Sequence, residues 1–221
     1  MLIAAVITIA IFLLLAGCLF GAAGTLSWPM AWTVLAIYAI SKAAAFIFAN
    51  PELIEERTNL GHDVDYREMV FATCGYLCLY PGTFVVAGLD AVRFGPAIPI
   101  SQSIQMTMLF LFALGYGFSF WAILSNPFFT TNVRIQDDRN HSVITSGPYD
   151  LIRHPGYAGA LFAHIALPFV LGSLWAFVPA VVGTIFFILR TSREDQLLRD
   201  CLAGYREYQT RVRWRLLPGV W

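Results

Sequence analysis

Charge is what this sequence has least of. Asp, Glu, Lys and Arg make up 13% of its 221 residues, about half the roughly 25% of an ordinary soluble domain. Hydrophobic residues make up 58%, and mean hydropathy is +0.66. That shortage excludes a disordered chain or a coiled coil and argues against a water-soluble globule. The 14 basic and 14 acidic residues cancel, so there is no basic field to recruit nucleic acid, and no nucleic-acid partner is expected. Lysine is reduced to a single residue, Lys42. The four cysteines (Cys18, Cys74, Cys78 and Cys201) form neither a disulfide framework nor a CxxC pair. Cys74 and Cys78 share a helix face and read as packing residues. His62, His141 and His164 lack ligand spacing, and His164 reads as a satisfied core histidine, so no metal is expected. What remains is a membrane protein.

The positions of the gaps in charge carry the architecture. Residues 1–41, 69–89, 94–133 and 155–189 contain no Asp, Glu, Lys or Arg. A spanning helix takes about 20 apolar residues, which predicts spans near 2–22, 29–49, 69–90 and 101–125. The first apolar run is too long for a signal-peptide h-region and lacks a basic flank. Lys42 falls inside the second span, within snorkelling reach of its end. The last uncharged stretch of 35 residues is interrupted by Pro168, Gly172-Ser173 and Pro179, and a helical hairpin is expected there. Twelve of the 13 arginines lie in residues 50–68, 126–155 and 190–221. Basic loops collect on the cytoplasmic side, so these three segments are placed there, with both termini. The predicted fold is all-α: a polytopic membrane helix bundle of five or six membrane segments, the last two forming a helical hairpin, with a cytoplasmic C-terminal helical tail. Residues 1–131 form the N-terminal transmembrane part with a charged loop at 50–68, read as plain solvated flanking sequence. Residues 132–221 form the catalytic region.

Two polar constellations flank the hairpin. The first is Gly147-Pro148-Tyr149-Asp-Leu-Ile-Arg153-His154-Pro155-Gly-Tyr157. Gly-Pro re-aims the chain before Tyr149, and Pro155 suits the first position of the hairpin helix, leaving His154 at its N-terminus. Free N–H groups there attract an anion, and Arg153 adds a planar fork suited to carboxylates. The second is Arg190-Thr-Ser-Arg-Glu194-Asp195, where the hairpin emerges; Arg190 and Glu194 share a helix face. Each alone reads as an anchor or a surface ion pair. Tyr205-x-x-Tyr208 follows, and Arg211 to Trp221 reads as an interfacial tail.

Taken in order, Arg153-His154-Pro155-x-Tyr157, the hairpin, Arg190-x3-Glu194-Asp195-x-x-Leu198, Gly204-Tyr205-x-x-Tyr208 and Arg215-Leu-Leu-Pro-Gly-Val-Trp resemble the isoprenylcysteine carboxyl methyltransferase family, over roughly residues 132–221. Asn50 to Arg57 resembles a further, less specific segment. The resemblance implies an integral membrane enzyme that uses S-adenosyl-L-methionine to methylate a carboxylate on a lipophilic or lipidated substrate entering from the bilayer. It implies Tyr149, His154, Pro155, Tyr157, Glu194, Tyr205 and Tyr208 for the cofactor, and Arg153, Arg190 and Glu194 as catalytic residues at the substrate carboxylate. The family's acidic pair is commonly Glu-Glu; here Asp195 takes the second place, and no role is assigned to it. Gly115-Tyr-Gly117 reads as close helix packing, although a similar pair serves the cofactor in phospholipid methyltransferase relatives. A membrane reductase using a reduced nicotinamide and a non-catalytic membrane scaffold are the competing readings. The sequence carries no signal for oligomeric state.

Overall fold

A computed structural model describes residues 1–58, 66–130 and 134–221; His62 and part of the 50–68 loop lie outside them. The described elements are all helical. Helix α1 (Leu2–Ala23) stops at Gly24, whose φ of 73° is the left-handed geometry that glycine adopts without cost. Pro29 opens α2 (Pro29–Phe48). Helix α3 (Pro51–Thr58) follows, with the Asn50 side chain accepting the Glu52 N–H at 2.9 Å.

The third pass is composite: α4 (Tyr66–Leu77), a π-turn at Cys78–Gly82, α5 (Thr83–Gly88) and a second π-turn at Leu89–Arg93. Pro81 has no N–H to give Leu77, and its ring crowds that carbonyl. The chain widens by one residue, and the Thr83 hydroxyl donates to the Cys78 carbonyl at 3.0 Å. Helix α6 (Gln102–Ser125) is capped by Ser101. Helices α7 (Pro155–Leu171) and α8 (Phe177–Cys201) form the expected hairpin, turning at Gly172 (φ 78°). A short α9 (Tyr205–Arg211) leads into the tail.

Among the described residues, four helices are long and apolar enough to cross a membrane: Leu2–Ala23, Pro29–Phe48, Glu68–Arg93 and Gln102–Ser125. They fall on the four spans read from the gaps in charge. At 17 residues, α7 extends about 25 Å, short of a roughly 30 Å hydrocarbon core. The protein is an integral, multi-pass membrane protein. Its lipid-facing surface is apolar, as at Leu2, Ile3 and Leu13, while Leu19, Ala31, Val34, Phe112, Leu167 and Val170 close the interior.

The two ends of the bundle differ in chemistry. At one end Arg93 donates to the Gly21 carbonyl (3.0 Å) and Ser173 to Asp90 (2.6 Å). At the other, the Met1 amino group meets Glu55 (3.2 Å), Arg57 donates to the Phe129 carbonyl (3.2 Å), and Arg134 holds Glu56 (2.6 Å). The three arginine-rich segments therefore share one end, as the distribution of charge implied. The charged loop is not plain flanking sequence: α3 is clasped to Phe129, Arg134 and Arg139, the last 3.7 Å from Glu52.

One contact fixes where the site begins. A Cβ on Gly159 of α7 would stand 2.6 Å from the Gly115 carbonyl oxygen of α6, and one on Gly115 would stand 2.7 Å from that of Gly159. The two backbones touch, which anchors the first turns of α7. Gly117 faces open space, so the packing role belongs to Gly115 alone.

Candidate active site

The site is built where the polar end of α7 meets the far end of α8. Gly147 (φ 63°) turns the chain into a 3-10 turn at Gly147–Asp150 that buries Tyr149. The next residues lie alongside the tail: the N–H groups of Arg153 and His154 donate to the carbonyls of Trp214 and Arg215, both at 2.9 Å. Pro155 then starts α7, as its fixed φ and missing N–H favour.

Asp195 is the centre of this region. Its carboxylate accepts from Arg153 Nε (2.8 Å) and Nη2 (3.0 Å), Tyr205 Oη (2.9 Å), Gln209 Nε2 (3.2 Å) and Arg215 Nε (2.8 Å), with His154 Nε2 at 3.2 Å. Burial by itself raises a carboxyl's pKa, but the hydrogen bonds from His154 and Arg153, with Arg215 beside them, outweigh it and hold Asp195 well below the usual carboxylate range. Burial, with the same carboxylate beside it, pushes the Tyr205 hydroxyl up, so it stays a donor. Arg153, expected at the substrate carboxylate, spends its fork here. Beyond Asp195, its Nη1 donates to the Val212 (2.9 Å) and Arg213 (2.6 Å) carbonyls. The stretch from Arg211, read as an interfacial tail, is thus tied into the site.

Glu194 is left open by comparison. Its side chain is 24% exposed. The Tyr157 hydroxyl donates to it at 2.6 Å, and His154 Nδ1 lies 3.9 Å away. The rings of His154 and Tyr157 stack at 6.0 Å. Arg190, one turn back on α8, is 1% exposed, donates to Glu68 of α4 at 2.7 Å and lies 5.6 Å from the Tyr157 ring centroid. Tyr149 and Tyr208 form a wall: Tyr208 donates to the Tyr149 carbonyl (2.6 Å), and Asn126 to the Tyr149 hydroxyl (3.2 Å).

Two cavities open onto these residues. A polar cleft of about 70 Å³ is lined by Tyr149, His154, Tyr157, Glu194, Tyr205 and Tyr208, among others. An apolar cavity of about 550 Å³ runs between α1, α2, α4, α6, α7 and α8. Phe129, Thr130, Gly156 and Tyr157 line both. Gly156 keeps the seam thin, since a Cβ there would collide with the Phe129 ring. His164 lines the large cavity. Its Nδ1 is 2.6 Å from the Ala160 carbonyl, but its Nε2 has no hydrogen-bond partner among the described residues, so the reading of a satisfied core histidine fails by one atom.

Of the residues expected at the cofactor or the substrate carboxylate, Tyr149, Arg153, His154, Tyr157, Glu194, Tyr205 and Tyr208 line the polar cleft, Arg190 lines the apolar cavity instead, and Pro155 lines neither. The site adds four whose part was not foreseen: Asp195, Glu68, Gln209 and Arg215. Asp195 carried a signal in its adjacency to Glu194, and Arg215 in its place at the head of the tail motif. The pairing of Glu68 with Arg190 spans 122 positions, a separation that local pattern does not reveal.

Residues 106–200, from α6 through most of α8, match the model of the isoprenylcysteine carboxyl methyltransferase family. By this segment the chain is similar to that family. Over 86 residues it is 33% identical to the Protein-S-isoprenylcysteine O-methyltransferase B of Arabidopsis thaliana, covering 38% of this chain and 44% of the relative. The match thus spans less than half of that relative's length. The matched segment includes Gly115 and Asp195, so it contains the backbone contact, the hairpin and the acidic pair. These matches support neither the nicotinamide reductase nor the scaffold reading.

Proposed function

We propose that this protein is an S-adenosyl-L-methionine-dependent methyltransferase that esterifies the carboxylate of a lipophilic, isoprenylcysteine-like substrate drawn from the bilayer, at the cytoplasmic face. The observation that carries this reading is the seam at Gly156 and Tyr157, where a polar cleft meets an apolar cavity within the membrane part of the bundle.

The donor set of the cleft suits this cofactor. Glu194 supplies a carboxylate for its ammonium group, and His154 with the first turn of α7 supplies donors for its carboxylate. Leu198, Leu202 and Phe128 give apolar surface for its base. At about 70 Å³ the cleft is smaller than the roughly 300–1,000 Å³ of small-molecule pockets, so this reading requires the cleft to widen when the cofactor binds. When bound, the cofactor supplies an electrophilic methyl group.

The chain's own work is alignment and exclusion of water. A carboxylate is already ionised at neutral pH, so no general base is required of Tyr157 or His154. Tyr157 orients Glu194 and faces the apolar cavity. Arg190 places positive charge beside Tyr157 at the acceptor end. In this reading Arg153 is a positioning residue: through Asp195 it fixes the His154 segment against α8.

The deciding experiment is equilibrium binding of S-adenosylhomocysteine to purified protein in detergent, with NADPH run in parallel. Micromolar binding of the former alone is expected. Binding of NADPH alone, or of neither by folded protein, would overturn the proposal.

A further inference from the structure

Lys42 is the chain's one lysine, and it sits six residues before the end of α2 at Phe48, about 9 Å into the helix. A lysine so placed normally snorkels toward the nearer polar boundary. This one does the opposite. Its Nζ lies 5.3 Å from the ring centroid of Tyr38, one turn deeper, and makes no ion pair or hydrogen bond among the described residues. Lys42 and Tyr38 both line the apolar cavity, as do Ser41 on the same face and Arg57 and Arg190.

The other cations near the seam are engaged. Arg153 and Arg215 are held on Asp195, and Arg190 is held on Glu68. Arg57 donates to the Phe129 carbonyl. An ammonium inside the bilayer with only an aromatic face beside it is costly unless an anion joins it, and an apolar cavity lined by such a cation selects an anion that carries a large apolar body.

We infer that Lys42 is the anion-binding residue of this cavity, and that the cavity takes an amphiphilic carboxylate whose charge pairs with Lys42. This rests on the proposed methyl transfer and assigns the acceptor's recognition to a residue on α2, outside the family segment. The charge balance gives the pair a second consequence. A carboxylate oxygen bonds to the methyl carbon as the carbon–sulfur bond breaks and its electrons return to sulfur, so an anion and a sulfonium become a neutral ester and a neutral thioether. Lys42 loses its counter-ion at that moment, and the ester is held less tightly than the acid.

The test is direct binding of N-acetyl-S-farnesylcysteine and of its methyl ester to purified wild type, Lys42→Met and Lys42→Arg, with S-adenosylhomocysteine binding measured on each. Methionine keeps the apolar stem and removes a buried charge, so folding is preserved. Wild type is expected to bind the acid at least tenfold more tightly than the ester, Lys42→Met to bind the two equally, and Lys42→Arg to restore a preference. Equal binding of acid and ester by wild type, or a preference that survives in Lys42→Met, would overturn the inference. Loss of S-adenosylhomocysteine binding in wild type would instead defeat the proposed methyl transfer, which keeps the two failures apart.

Discussion

Asp195 and Arg153 form a two-pronged buried ion pair, Nε to Oδ1 at 2.8 Å and Nη2 to Oδ2 at 3.0 Å, joining the segment before α7 to the end of α8. Around it close His154, Tyr205, Gln209 and Arg215. The acid without an assigned role is the one that organises the site, while its neighbour Glu194 is left facing the cleft.

Removing one member of a buried pair leaves the other uncompensated, at a cost of about 3–5 kcal/mol. Asp195→Asn is therefore expected to lower thermal stability in detergent far more than Glu194→Gln. Because the folded-state pKa of Asp195 is depressed, its stabilisation is fully present above the unfolded value of about 3.9 and is lost as pH falls below it. The difference in midpoint between wild type and Asp195→Asn should stay constant from pH 8 to pH 5. A difference that shrinks within that range would show that the carboxyl is not held ionised by its partners.

Glu194→Gln and His154→Ala are expected to weaken S-adenosylhomocysteine binding at least tenfold, about 1.4 kcal/mol or more, while the folded fraction by size-exclusion chromatography stays near wild type. Wild-type affinity in both variants would remove these residues from the cofactor site.

The Glu68–Arg190 pair couples α4 to α8 inside the bundle. Arg190→Met alone strands a buried carboxylate and should destabilise by about 3–5 kcal/mol, whereas Arg190→Met with Glu68→Gln should recover much of that loss. Thermal midpoints of the four proteins in the cycle measure the coupling, and additive losses would contradict a direct pair.

The α6–α7 crossing supplies an internal control. Gly159→Leu and Gly115→Leu force the backbones apart and should abolish a monodisperse folded peak. Gly117→Ala meets nothing within 4 Å and should be neutral or stabilising by about 0.5–1 kcal/mol, since alanine favours helix over glycine. Equal damage at Gly115 and Gly117 would argue against the contact.

The spans were legible because charge is nearly absent from them. One Asp or Arg inside a span costs more than any packing gain, so the gaps between charges mark the helices closely. The hairpin was legible for the same reason, with Pro168, Gly172 and Pro179 interrupting its apolar run. The motif residues were legible as a set, and Tyr149, His154, Tyr157, Glu194, Tyr205 and Tyr208 do line one cleft. What escaped was partnership. Whether Arg153 offers its fork to a substrate or spends it on Asp195 depends on how α7 and α8 meet 42 positions apart, and residue types do not encode that. The direction of the Lys42 side chain escaped for a similar reason: snorkelling is a default for a lysine facing lipid, and this one faces a cavity. The π-turns are half-legible, since Pro81 marks the first and nothing marks the second.

The ties on Asp195 come from residue 153, from the start of α9 and from Arg215, so the site is written across the chain's whole C-terminal third. During synthesis the helices before it enter the bilayer first, and the acid emerges before most of the donors that satisfy it. Until Arg215 has left the ribosome, Asp195 lacks a hydrogen bond and Arg153 lacks the carbonyls of Val212 and Arg213. Maturation of this site is accordingly a late event, separable in time from insertion into the membrane.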